Sequence, residues 1–214
     1  MSLIKSEFST IKINKTLFSY FLIYKPFGML SQFTREGDHA TLADLEFTFE
    51  KDIYPVGRLD ADSEGLLLLT NDNYLKTKLL EPRNRHRRTY YVQVEGEMTK
   101  EACVELESGV KISINGKTYL TLPASASQLE VPSLPERNPP IRFRKNIPTS
   151  WVSITLHEGK NRQVRRMTAA VGFPTLRLVR WAIGKINLAD FGADGAKPGD
   201  VWEVTEKEVR RLTV

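Results

Sequence analysis

Between residues 52 and 70 the chain reads DIYPVGRLDADSEGLLLLT, so three acids, Asp60, Asp62 and Glu64, are set between two apolar runs. Runs of this length, Ile53 to Val56 and Leu66 to Leu69, read as buried strands, and Gly57 and Gly65 permit the turns that bring the polar segment out between them. Asp60 therefore sits on a loop between two buried strands. It follows Leu59 as the chain leaves an apolar strand, which makes it the acid expected to be partly buried at a cleft. Asp62 and Glu64 read as solvated loop residues that cap backbone donors. The segment imitates the start of a calcium loop, but Leu66 to Leu69 follow where oxygen ligands are required, and Asn71 replaces the bidentate Glu.

A buried carboxylate needs a cation nearby. On a helical wheel of residues 161–172, Val164, Met167 and Val171 form the core stripe, Arg162 and Arg166 point away, and Arg165 lies on the border. Arg165 is the expected partner of Asp60.

The rest of the chain interleaves short strands and helices. FLIYKPFGMLSQF reads as two strands broken at Lys25 to Gly28, and TYYVQVEG and WVSITLHEG alternate as strands. Asn71 or Asp72 caps a helix that Pro82 ends, Thr99 caps one that Gly109 closes, and KNRQVRRMTAAV runs as a helix to Gly172. Asn115-Gly116 marks a hairpin between KISI and KTYL, and Thr205 to Glu208 has capping-box spacing. Pro132 to Pro148 is a long basic loop, and residues 1–18 read as a flexible tail before a folded unit over 19–214. These elements predict an α+β fold with a mixed, mainly antiparallel sheet and flanking helices.

A net charge of +5 and a pI near 9.3 favour a polyanionic partner. The basic side chains gather at residues 83–88, 137–145 and 160–166, with Tyr90, Tyr91 and Phe143 among them, a pattern suited to phosphates and stacked bases. His39, His86, His157 and the lone Cys103 lack ligand spacing, so no metal is expected. No nucleotide-cradling glycine motif occurs. Without a secretion signal or an apolar run of about 20 residues, a cytoplasmic protein is expected.

YKPFG at 24–28, GRLDADSEGLLLLTND at 57–72, RRTYYV at 87–92 and EGKNRQVRRM at 158–167 resemble, in order, the motifs of the RNA pseudouridine synthase family. The resemblance implies two subdomains forming a central RNA-binding cleft. It implies Asp60 as the catalytic residue, Tyr90 as the active-site tyrosine and Arg165 as the basic residue paired with the aspartate. Lys25, Arg58, Arg85, Arg87, Arg88, Arg142, Lys160 and Arg162 become the expected RNA contacts. The GRLDADSEGL and QVRRM forms are similar to a branch that modifies single sites in ribosomal RNA, and RNPPIR with IPTSW narrows this to 23S ribosomal RNA or a large-subunit assembly intermediate. A monomer without a cofactor is implied. Many relatives carry an amino-terminal S4-like domain, and with only a short tail before the core none is expected here.

Two competing readings are a catalytically inactive rRNA-binding assembly factor and a glycoside hydrolase using Asp60 with Asp62. The first is expected to lose Asp60, Tyr90 or Arg165, and all are present. The second leaves the basic clusters unexplained.

Overall fold

Strands form where the sequence alternates or runs apolar, and three of the four α-helices among the described residues begin at a side-chain cap. The computed structural model describes residues 18–142, 144–192 and 195–213. Its strands are β1 (Tyr20–Lys25), β2 (Tyr54–Pro55), β3 (Glu64–Thr70), β4 (Arg88–Glu95), β5 (Lys111–Ile114), β6 (Lys117–Leu120), β7 (Ser125–Leu129), β8 (Thr149–Leu156), β9 (Thr175–Ile183), β10 (Ile186–Asn187) and β11 (Val201–Glu203). The helices are α1 (Asn73–Leu80), α2 (Lys100–Ser108), α3 (Gln163–Ala170) and α4 (Glu206–Val209).

One sheet runs in the order β11-β1-β3-β9-β4-β8-β7, with β2 added to β3 and β10 to β9, while β5 and β6 pair as a separate hairpin. The pairings are antiparallel except β3 with β9, where Glu64 faces Val179 and Gly65 faces Arg180. The fold is α+β with a mixed, mainly antiparallel sheet, as the element pattern implies. β3 is buried along its whole length because it packs on both faces: Leu66 and Leu68 join Leu22, Tyr24 and Val179, while Leu67 and Leu69 join Phe21, Ile23 and Ile53. β4 sends Tyr90, Val92 and Val94 into a second core with Leu59, Leu106, Val164, Met167 and Leu178.

The caps form as their residue types dictate. Asp72 accepts from Leu75 N at 3.0 Å, Thr99 from Ala102 N at 3.1 Å, and Thr205 and Glu208 cap each other's backbone donors. Three expectations change. MLSQF is not a second strand; its only bridge pairing among the described residues is Leu30–Thr41, and it is held otherwise by hydrogen bonds to Leu59 and to residues 40–42. α3 starts at Gln163, because Arg162 adopts a left-handed conformation with φ of 50° and ends the preceding loop. Glu64 is no solvated loop acid: it opens β3, is 1% exposed, and accepts from Arg177 Nε at 2.9 Å and Nη2 at 2.8 Å. The expected tail, residues 1–18, lies outside the described residues apart from Phe18.

The Glu64–Arg177 pair fastens the start of β3 to β9. Removing one partner of a buried pair costs about 3 to 5 kcal/mol, whereas replacing both with apolar groups is often neutral. Glu64→Leu is therefore expected to lower unfolding free energy by about that amount, and Glu64→Leu with Arg177→Met to recover most of it. Urea denaturation checks this; equal losses in the single and double variants refute a coupled pair.

Candidate active site

The loop carrying Asp60 is held by backbone contacts to the loop after β1. Ser31 Oγ donates to Leu59 O at 2.9 Å and accepts from Leu59 N at 3.0 Å, and Gly28 N donates to Ala61 O at 2.7 Å. Lys25 Nζ donates to Pro26 O at 2.8 Å and Met29 O at 2.6 Å, and reaches Ala61 O at 3.5 Å. Ser63 N donates to Asp60 O at 3.0 Å, closing the turn. Asp60 thus has a fixed backbone on both sides and a side chain 37% exposed.

The segment between β8 and α3 faces this loop. Buried Glu158 accepts from Leu122 N at 2.8 Å, Tyr119 Oη at 2.6 Å and Gln163 Nε2 at 2.6 Å. The Glu158 carboxylate pushes the Tyr119 phenol up to about 12, and burial adds to the shift. With that segment anchored, Arg162 reaches across to Asp62, donating at 3.1 and 2.8 Å. Its Nη1 also lies 3.6 Å from Asp60 Oδ2. Arg165 Nη2 donates to Asp62 O at 2.6 Å, and its Nε stands 3.4 Å from Asp62 Oδ2. Burial works against the charge of Asp62, but the hydrogen bond from Arg162 and the charge of Arg165 hold its carboxyl below the usual range. Burial pulls Arg165 down from the ordinary arginine value.

Three expectations are corrected by this geometry. Arg165 engages Asp62, and the ion pair of Asp60 is with Arg162. The wheel misplaced Arg162 because it lies outside the helix, where a left-handed backbone turns it toward the acids. Asp62, read as solvated, is the acid clasped by both arginines.

A cleft of about 830 Å³ lies between the two segments. Asp60 and Tyr90 line it, Leu59, Leu156 and Leu178 give it an apolar floor, and Arg58, Arg85, Arg88, Lys160 and Arg162 contribute its basic groups. Tyr90 is 9% exposed, a core aromatic at one edge and a cleft wall at the other. Arg87 is exposed but does not line the cleft. Arg142 lies in a separate groove of about 590 Å³ with Arg144 and Lys145. Lys25 is fully buried and clasps carbonyls, so it is not placed to meet RNA; burial lowers it to about 7, against the charges of Glu64, Asp62 and Asp60. Tyr91 stacks on Trp181 at 4.5 Å, away from the cleft lining, and Phe143 lies outside the described residues.

The sequence reading missed Arg177 and Arg180. Their signal is visible in hindsight: two arginines inside the apolar strand TLRLVRWAI sit an odd number of residues apart, so they leave the sheet on opposite faces and each must find a buried partner.

A family model described as RNA pseudouridylate synthase matches residues 19–170. The chain is 51% identical over 180 residues to ribosomal large subunit pseudouridine synthase E of Vibrio parahaemolyticus, covering 84% of this chain and 71% of that protein. It is 44% identical over 191 residues to the enzyme of the same name from Xanthomonas campestris, covering 89% and 97%. Ribosomal large subunit pseudouridine synthase B of Bacillus subtilis is 36% identical over 206 residues, covering 96% and 76%. A crystal structure of a pseudouridylate synthase superposes with a TM-score of 0.73 at 25% identity, covering 92% of this chain and 74% of that one.

The burial of Lys25 separates two roles by experiment. Lys25→Met is expected to destabilise the protein by about 1 to 3 kcal/mol, the penalty for stranding buried carbonyls, in a thermal or urea melt. The salt dependence of binding to an rRNA fragment is expected to stay unchanged, because Lys25 contacts no phosphate. A flatter salt slope with unchanged stability contradicts this assignment.

Proposed function

The chain belongs to the RNA pseudouridylate synthase family, and on that footing we propose that it isomerises a specific uridine of 23S ribosomal RNA, with Asp60 as the reacting carboxylate. The observation that carries the role of Asp60 is its position: a third-exposed carboxylate on a clamped loop, facing an apolar-floored cleft that also holds Tyr90 and several cations. The target, in naked 23S RNA or an assembling large subunit, leaves its base stack and enters this cleft. Unstacking costs about a few kcal/mol, which contact with Tyr90 and the apolar floor partly offsets. Arg58, Arg85, Arg88, Lys160 and Arg162 hold the flanking phosphates.

In the cleft, the N1–C1′ bond breaks, the uracil turns, and C5 joins C1′. Asp60 supports the sugar carbon either by bonding to C1′ or by assisting loss of a sugar proton, and neither route calls for a redox step or a metal. Arg162 and Arg165 position the loop and keep Asp62 ionised. The protein works as a cytoplasmic monomer in this reading.

The competing readings fare worse. An inactive assembly factor has no use for a clamped carboxylate at an apolar pocket. A glycoside hydrolase needs a second carboxyl beside the bond, and Asp62, bound by two arginines and held ionised, is a poor proton donor.

Asp60→Asn keeps the shape of the side chain but is neither nucleophile nor base. Pseudouridine formation in an rRNA fragment, read by chemical modification and primer extension, is expected to vanish, with RNA affinity within about threefold of the parent. Substantial product from this variant overturns the assignment.

A further inference from the structure

Arg180 lies in the middle of β9, a strand with β3 on one side and β4 on the other. It pairs in register with Gly65 of β3 and with Tyr90 of β4. The approach of β3 is so close that a Cβ on Gly65 would stand 2.3 Å from Arg180 O, and Gly65 adopts φ of 109°, where a side chain is strained in any case. Glycine at 65 thus seats the Arg180 backbone directly beside the strand that the Asp60 loop enters. The side chain is 5% exposed and lines the cleft together with Tyr90, Leu59 and Leu178. Its Nε donates to Leu66 O at 2.7 Å, but its Nη2 is buried and has no hydrogen-bond partner among the described residues. Among the described residues no carboxylate pairs with it, in contrast to Arg177 three positions earlier. Burial pulls Arg180 below the ordinary arginine value, and the nearby Tyr90 offsets part of that shift.

A cation buried without a counter-charge costs several kcal/mol, and natural chains keep such groups chiefly at functional sites. We propose that Arg180 is a further catalytic residue, whose free guanidinium edge binds the uracil ring and takes up its negative charge when the glycosidic bond breaks. The inference rests on the activity proposed above. In that step the C1′–N1 electron pair goes to N1, and the uracil becomes a monoanion with charge shared by N1, O2 and O4. Asp60 supplies the balancing change at the sugar, by an oxygen–C1′ bond or by removal of a sugar proton. The electron pair at C5 then forms the C5–C1′ bond as the Asp60 oxygen leaves C1′ with its bonding pair or, on the other route, as the sugar takes back its proton; the C5 proton is lost and N1 gains one, so the product is an isomer. A planar guanidinium with free donors matches a planar anion with in-plane oxygens. The apolar floor strengthens that interaction and suits a base, while the hydrated phosphates have the exposed arginines.

The test is single-turnover kinetics with an rRNA fragment carrying either uridine or 5-fluorouridine at the target, following loss of the N-linked nucleoside by nuclease digestion and chromatography. Fluorine makes uracil a more acidic leaving group that needs less help from a cation. Arg180→Met is expected to slow the uridine substrate about 100- to 1000-fold, as removal of a charge-stabilising donor does elsewhere. The defect is expected to shrink at least about tenfold with 5-fluorouridine, with RNA affinity and its salt slope unchanged. Arg180→Lys, which keeps a charge in the same place, should lie between parent and Met on both substrates; if the Met variant does not fold, the same comparison is made on Lys. Equal defects on the two substrates overturn the inference, as does a loss of affinity with a flatter salt slope, which marks a phosphate contact. A parent that forms no pseudouridine overturns both this and the proposed activity, whereas an active parent with equal defects overturns this one alone.

Discussion

The arrangement depends on one carboxylate, Asp62, held between Arg162 and Arg165. Its side chain takes two hydrogen bonds from Arg162 and lies within 3.4 Å of Arg165, while its carbonyl accepts from Arg165 as well. These contacts tie the loop before β3 to the start of α3, and so draw together the two walls of the cleft. Because Asp62 and Arg162 are each more than a third exposed, solvent screens the pair and its contribution to stability is small. What it supplies is position: Asp60, two residues away on the same loop, faces the cleft with Arg162 at 3.6 Å.

Behind this clamp, the centre of the sheet separates two arginines by strand alternation. Arg177 leaves β9 on the face where Glu64 waits and becomes a closed ion pair. Arg180 leaves on the cleft face and, among the described residues, meets no acid. The parallel pairing of β3 with β9 brings both arrangements to the foot of the Asp60 loop. Structural and functional charge therefore sit back to back, and the period of two residues along a strand decides which is which.

Much of this is legible in the sequence where the cause is local. Asp72, Thr99 and Thr205 cap helices as their types require, Asn115-Gly116 turns a hairpin, and the apolar runs on either side of Asp60 mark it as a loop residue between strands. What escaped was decided by a contact distant in the chain or by the path of the backbone at a turn, neither of which periodicity shows. Glu64 looks like a loop acid until Arg177, 113 residues on, is brought beside it. Lys25 looks like a phosphate contact until the turn it precedes folds its own carbonyls around the ammonium. Arg162 was assigned to the wrong side because a helical wheel presumes a helix, and the left-handed backbone at that residue is invisible to periodicity.

On this reading Asp62 acts only through Asp60, by holding its loop against α3. The direct measurement is the single-turnover rate of pseudouridine formation by Asp62→Asn on a cognate rRNA fragment, with folding verified by thermal melting. The amide keeps the size and the backbone carbonyl contact but gives up the charge that both arginines bind. A rate about 10- to 100-fold below the parent, with product still formed and the melting temperature nearly unchanged, is the predicted result for a displaced reacting group. A parental rate in the folded variant contradicts the account, because Asp60 would then hold its place without the clamp.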